Sequence, residues 1–147
     1  MFTGITTPSA QGLALIKRFQ GLSLEKYRDA EGIWLIGYGH LIRDQERFDT
    51  RLTCSQAEAL FLQDVEAYRQ RLCQCIDAPL AQHQFDALLS LAFSLGPEGI
   101  VRSAIVQAIQ RRDFHAARVA WQQEGERKTS LAVQRQAEAV LFQTARW

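Results

Sequence analysis

Between residues 20 and 40 the chain gathers the side chains that could do acid–base chemistry. Asp29 and Glu31 stand two apart in Tyr27-Arg28-Asp29-Ala30-Glu31-Gly32, with Glu25 just before them. His40 closes the run Trp34-Leu35-Ile36-Gly37-Tyr38-Gly39-His40. Carboxyl and imidazole groups are the usual donors and acceptors of protons in a reaction, which makes His40 a candidate general base. Gln20, in Ile16-Lys17-Arg18-Phe19-Gln20-Gly21, heads the group with an amide. An amide has no proton to give near neutral pH, so Gln20 cannot be a general acid.

Other chemistries find less support. The cysteines are Cys54, Cys73 and Cys75, an odd number with no pair at zinc-finger spacing. That argues against a disulfide framework and a structural metal, and places folding in a reducing compartment. No cofactor is expected, and the apolar stripes of the helices below read as core. The formal net charge of +1 gives no field to recruit nucleic acid or anionic lipid. No run of about 18 apolar residues offers a membrane span. The start, Met1-Phe2-Thr3-Gly4-Ile5, lacks a basic region followed by an apolar core, so no signal peptide is read there. The expectation is synthesis in a cytoplasm, without a signal peptide.

These residues need elements to hold them. A chain of 147 residues, 47% hydrophobic and 22% charged, is one ordinary globular domain's worth. Pro8-Ser9 caps a helix over 9–20 with Leu13, Ile16 and Phe19 on one face, ended by Gly21. From about 21 to 51, glycines at 32, 37 and 39 separate short aromatic and β-branched runs, which predicts a small antiparallel sheet. Thr53-Cys54-Ser55-Gln56 is a capping box for a long helix carrying Leu60, Phe61, Val65, Tyr68 and Leu72. Pro79 opens another, with Phe85, Leu88, Leu89, Ala92 and Phe93 inward, that stops at Gly96-Pro97. Shorter helices follow around Ala104 to Arg111, after Asp113 with Phe114, Ala117 and Trp121, and from Ser130 to about Phe142. The segment from Glu124 to Thr129 reads as a solvated turn or loop. His83 and His115 are expected on exposed helix faces. The sum is an α+β, mainly helical architecture in one domain over 1–147. A small antiparallel β lobe joins a larger helical lobe through a long helix, with a cleft between them as the default binding site.

The whole order of segments resembles the phage-type lysozymes, the endolysin or muramidase family of glycoside hydrolases. Their pattern is a Glu, eight residues, an Asp, five residues, a Thr, then an Ile-Gly-Tyr-Gly-His-like run. Asp29 occupies the Asp position, while Gln20 and Leu35 replace the Glu and the Thr. Leu60-Phe61-Leu62-Gln63-Asp64-Val65, Gln84-Phe85-Asp86-Ala87-Leu88, Ala92-Phe93-Ser94-Leu95-Gly96 and Gln134-Arg135-Gln136-Ala137-Glu138 look like later segments of the family. The resemblance implies a lysozyme-like fold. It also implies that the position of Gln20 belongs to the acid, and that Asp29 and position 35 place the water. It implies a structural pair of His40 with Asp64. It places Glu31, Phe93 and Ser94 along the saccharide groove, Ser94 where the family has an amide and Phe93 equally readable as core. The family's Arg that salt-bridges the acid is here Gln134, so Gln20 facing Gln134 would be a neutral amide pair.

Cleaving a glycosidic bond takes two carboxyl groups, one of them protonated. With two of three catalytic positions substituted, the resemblance implies a disabled hydrolase that binds peptidoglycan or a protein partner as a monomer. Two alternatives stay open. One is an active muramidase, hydrolysing the bond between N-acetylmuramic acid and N-acetylglucosamine. There, Gln20 is an engineered knock-out, or another carboxylate such as Glu25 or Glu31 acts. The other is a structural module of a phage-tail or secretion assembly. A knock-out explains Gln20 but neither Leu35 nor Gln134. A wall target would require export by another system.

Overall fold

The computed structural model describes residues 4–144. Met1, Phe2 and Thr3, part of the segment read for a signal peptide, lie outside the described residues. Six α-helices, α1 (Ala10–Gln20), α2 (Cys54–Cys75), α3 (Gln82–Arg102), α4 (Ala104–Gln110), α5 (Phe114–Arg127) and α6 (Ala132–Thr144), accompany three strands. The strands are β1 (Ser23–Arg28), β2 (Trp34–Gly37) and β3 (His40–Leu41). The architecture is therefore mainly helical with a small antiparallel sheet, as expected. The chain divides into two compact units, Lys17–Ala67 and the remainder.

In the unit Lys17–Ala67 the sheet runs β1-β2-β3. Tyr27 lies opposite Leu35 and Arg28 opposite Trp34, while Leu35 and Ile36 face Leu41 and His40. Ile36 is fully buried, as is Phe61 of α2. Tyr38 meets Phe61 edge-on at 5.4 Å between ring centres. The Lys17 ammonium sits 5.2 Å from the first ring and 5.3 Å from the second, and pairs with Glu58 at 2.6 Å.

His40 secures this unit. Its Nδ1 lies 2.9 Å from both carboxylate oxygens of Asp64 on α2, and its Nε2 lies 2.9 Å from Oε1 of Glu46. Glu46 also accepts the Arg43 backbone N–H at 2.9 Å, so one carboxylate fixes both the loop after β3 and the imidazole. A ring hydrogen-bonded by carboxylates at both nitrogens is an imidazolium, because only the protonated ring donates twice. Burial alone would lower the His40 pKa. The hydrogen bonds and charges of Asp64 and Glu46 together outweigh it, and the pKa is raised above 6.5.

In the other unit, α3 forms the core, with Phe85, Leu88, Leu89 and Leu91 fully buried. Helix starts follow local chemistry. Ser9 Oγ accepts the Gly12 N–H at 3.0 Å and Asp113 accepts that of Ala116 at 3.0 Å. The Thr53–Gln56 box at the head of α2 in the first unit is reciprocal, at 2.9 and 3.1 Å.

Three expectations are corrected. α3 begins at Gln82, not Pro79, because Gln84 Oε1 accepts the Ala81 N–H at 2.9 Å and fixes Ala81 as the cap. Its first stretch stops at Gly96-Pro97, as expected. Gly96 takes a left-handed φ of 80°, and the helix resumes through Pro97, whose missing N–H costs nothing in a first turn. The stretch read as a loop from Glu124 is helical to Arg127, since Gly125 lets α6 approach: a Cβ there would lie 3.3 Å from Arg135 Cβ. His83 is half-buried, not exposed, with Nδ1 2.8 Å from the Leu141 carbonyl.

No single helix among the described residues is long and apolar enough to cross a membrane. α3 and α4 together reach that composition across a 63° bend, and both supply core residues.

Asp86 is a wholly buried carboxyl group. Its Oδ1 accepts the Ser9 backbone N–H and a Gln82 amide N–H, both at 3.0 Å, and its Oδ2 accepts the Ser9 hydroxyl. Asp86→Ala strands these donors and should lower unfolding free energy by about 2–4 kcal/mol in a urea titration. His40 sets a pH dependence. Its folded pKa is raised, so its contribution is complete below 6.5 and lost as pH climbs through the folded value. Glu46 is shifted down: burial opposes this, but the Arg43 N–H and His40 prevail, so its contribution is complete above 4.5 and lost as pH falls through the folded value. Stability from this cluster should therefore peak between those two values. His40→Asn should flatten the alkaline limb in thermal melts collected across pH 5–9.

Candidate functional site

The three motif positions are all carried by the unit Lys17–Ala67. Gln20 is the last residue of α1, half-buried, and Gly21 turns the chain with φ 70°. Its amide packs on Gly39, where φ is 69° and a Cβ would overlap the Gln20 side chain. Glycine at 39 thus serves both a left-handed turn and a close approach, which explains its place in Gly37-Tyr38-Gly39-His40.

Asp29 lies just past the end of β1, at the turn into β2. Its Oδ1 accepts the backbone N–H groups of Glu31 at 2.8 Å and Ile33 at 3.0 Å. The backbone N–H of Asp29 in turn reaches the Ile33 carbonyl at 3.0 Å. This Asx-type turn explains why an Asp suits the site structurally, while Oδ2 takes neither bond. Tyr27 precedes it by two residues. Burial, then the charge of Asp29, raises the Tyr27 pKa above 10.0. Leu35, on β2 opposite Tyr27, is half-buried and supplies an isobutyl group with no hydrogen-bonding atom. Glu31 is exposed, with its backbone committed to the Asp29 turn.

The other candidates belong to the second unit. Phe93 is buried, 4% exposed, with its ring 4.8 Å from that of Tyr68. That is a core position. Ser94 Oγ accepts from Gln134 Nε2 at 3.0 Å and Arg135 Nη2 at 2.8 Å. Gln134 is 6% exposed, and its amide also donates to Glu138 at 3.4 Å.

Sequence reasoning missed the ion pair at the centre of this group. Arg135 and Glu138 are 2% and 0% exposed. Arg135 Nη2 donates to Glu138 Oε2 at 2.9 Å. Arg135 Nε lies 2.7 Å from Oε1 but off the line of its own N–H, so that contact is charge pairing rather than a second hydrogen bond. Ser90 and Trp121 also donate to Glu138. Burial holds the Glu138 carboxyl above the usual carboxylate range, against the pull of Arg135 and of Ser90, Trp121 and Gln134. The Arg-x-x-Glu spacing was the available signal, since residues three apart meet on a helix. Glu46, the second carboxylate on His40, sits in an irregular loop where no periodicity pointed to it. Among the described residues no group of three or more His, Cys, Asp or Glu could hold a metal ion.

What this arrangement can do is limited by what stands at its head. Asp29 can orient or accept, and no group at position 20 can donate a proton. Comparison with known proteins fixes the ancestry. Residues 17–138 match the Phage lysozyme family model. An endolysin of Acyrthosiphon pisum secondary endosymbiont phage 1 is 32% identical over 145 residues, covering 93% of this chain and 98% of that protein. Among solved structures, an endolysin from Escherichia coli O157:H7 phage FAHEc1 superimposes with a TM-score of 0.82 at 29% identity, over 99% of both chains. The muramidase domain of SpmX from Asticaccaulis excentricus does so with 0.76 at 30% identity, over 92% of this chain and 97% of that one. With the motif order, the sheet and the helices all in agreement, the chain belongs to the phage lysozyme family.

Proposed function

We propose that this protein keeps the phage lysozyme scaffold as a peptidoglycan-binding protein whose hydrolytic site is disabled. One observation carries the reading: an amide, Gln20, packs on Gly39 in the place where the family's pattern has its acid. Cleavage of the bond between N-acetylmuramic acid and N-acetylglucosamine needs a protonated carboxyl for the leaving oxygen. Asp29 keeps its carboxylate but acts without that donor, and Leu35 cannot orient a water. General acid–base assistance alone is worth roughly 100- to 10,000-fold in rate, so a loss of at least that order is expected.

The coupled substitution at Gln134 supports a loss of long standing. The family's pattern puts at position 134 the Arg that salt-bridges the acid, and this chain has neither partner of that pair. Gln134 is neutral and hydrogen-bonded to Ser94 and Glu138. A lone engineered change at position 20 leaves Leu35 and Gln134 unexplained. Binding without cleavage is compatible with the exposed Glu31 as a groove position. It requires only that the wall glycan be reached by an export route of another system.

Turbidity of permeabilised Gram-negative cells is the first test. The chain as written should leave the suspension turbid where an endolysin of the family clears it. Clearance at a comparable rate would end the disabled-site reading and restore an active muramidase. Lysis regained by Gln20→Glu alone would indicate a single recent loss, whereas a requirement for Leu35→Thr and Gln134→Arg as well indicates an old one. Co-sedimentation with purified peptidoglycan should retain the protein. Its absence from the pellet would replace wall binding with a protein partner or a structural role in a phage-tail or secretion assembly.

A further inference from the structure

Helix α5 carries an unusual residue at its first position. Phe114 is 43% exposed, directly after the Asp113 cap. Arg118 and Trp121 follow at four and seven residues, so the three share one face of the helix. α6 presents Ala139, Phe142 and Gln143 to that face, and Gln84 of α3 completes it. The Phe142 ring lies 5.2 Å from Trp121 and 6.1 Å from Phe114. Together with His115 these residues enclose a pocket of about 410 Å³, within the size range of small-molecule sites. Its floor is aromatic and buried, with Trp121 1% and Phe142 6% exposed.

The polar rim offers donors. Arg118 Nη2 lies 3.2 Å from His115 Nδ1. A guanidinium only donates, so Nδ1 is the acceptor and the His115 proton sits on Nε2 as a further donor. Gln84 has already given its carbonyl oxygen to the Ala81 N–H, which leaves its NH2 group. No carboxylate lines the pocket. The buried Glu138 accepts from Trp121 Nε1 and carries its own cation, Arg135. Asp113 is occupied at the helix cap. Arg118 therefore brings a positive charge to an aromatic pocket without a carboxylate of its own among the described residues.

We propose that this pocket is a second binding site, separate from the motif unit, for a small aromatic carboxylate. The ring would lie among Phe114, Trp121 and Phe142, and the carboxylate would take the Arg118 and His115 donors. A hydrophobic cavity supplies attraction for the ring, and the charge-assisted bonds to Arg118 set the preference for an anion over a neutral analogue.

The test uses the full chain and 4-phenylbutyrate, followed by isothermal titration and by two-dimensional NMR. Saturable binding with Kd on the order of 1 mM is expected for a ligand of this size. The neutral alcohol 4-phenylbutan-1-ol should bind about tenfold more weakly, and Arg118→Gln should abolish that difference. Phe114→Ala should weaken both ligands. Both residues are exposed, so unchanged thermal melts would certify the variants as folded. Equal affinity for acid and alcohol, or no saturation by about 20 mM, overturns the proposal. Concentration-dependent self-association abolished by Phe114→Ala, without ligand binding, would overturn it too, and mark this face as a contact between copies.

Discussion

The unit that carries the family motif depends on one buried imidazolium. A three-stranded sheet whose last strand is two residues long is too small to be stable by itself. His40, at the start of that strand, is held from both sides by Asp64 on α2 and Glu46 in the following loop. The pair fixes the strand to the helix at the point where Ile36 and Phe61 are buried. Lys17 adds a second tie, resting against Tyr38 and Phe61 while pairing with Glu58. Polar and apolar contacts therefore converge on the segment from Ile36 to His40. A role for His40 as general base is incompatible with this: its ring nitrogens are already engaged by carboxylates.

The chemistry at the motif follows from how that segment is held. With His40 fixed, Gly39 is fixed, and the Gln20 amide rests on it. Glutamine is nearly isosteric with glutamate but carries no acidic proton. Leu35 works differently, placing an apolar branched chain in the pair with Tyr27. Asp29 has a structural task of its own: it organises the turn between β1 and β2 through backbone N–H groups.

In the other unit the charge balance is closed locally. Arg135 and Glu138, both buried, pair with each other, with Ser90, Ser94, Gln134 and Trp121 as supporting partners. Breaking such a pair from one side is costly because the remaining charge has nowhere to go. Gln134 beside it adds hydrogen bonds without adding charge.

Local signals in the sequence were reliable wherever the physics is local. Ser9, Thr53 and Asp113 declared helix starts, because a cap needs only one side chain and the next turn's N–H. The glycine-punctuated run declared the sheet, and the order of motifs declared the family. Tertiary structure decided what depends on distant partners. Gly125 is helical because α6 lies against it, α3 begins where Gln84 can cap it, and Asp86 is accommodated in the core because Ser9 and Gln82 reach it. The second carboxylate on His40 and the aromatic pocket beside Arg118 also join residues from separate elements. A sequence specifies which groups exist and at what spacing. Only the packed chain sets which of them meet, because burial and pairing are properties of neighbours in space rather than along the chain.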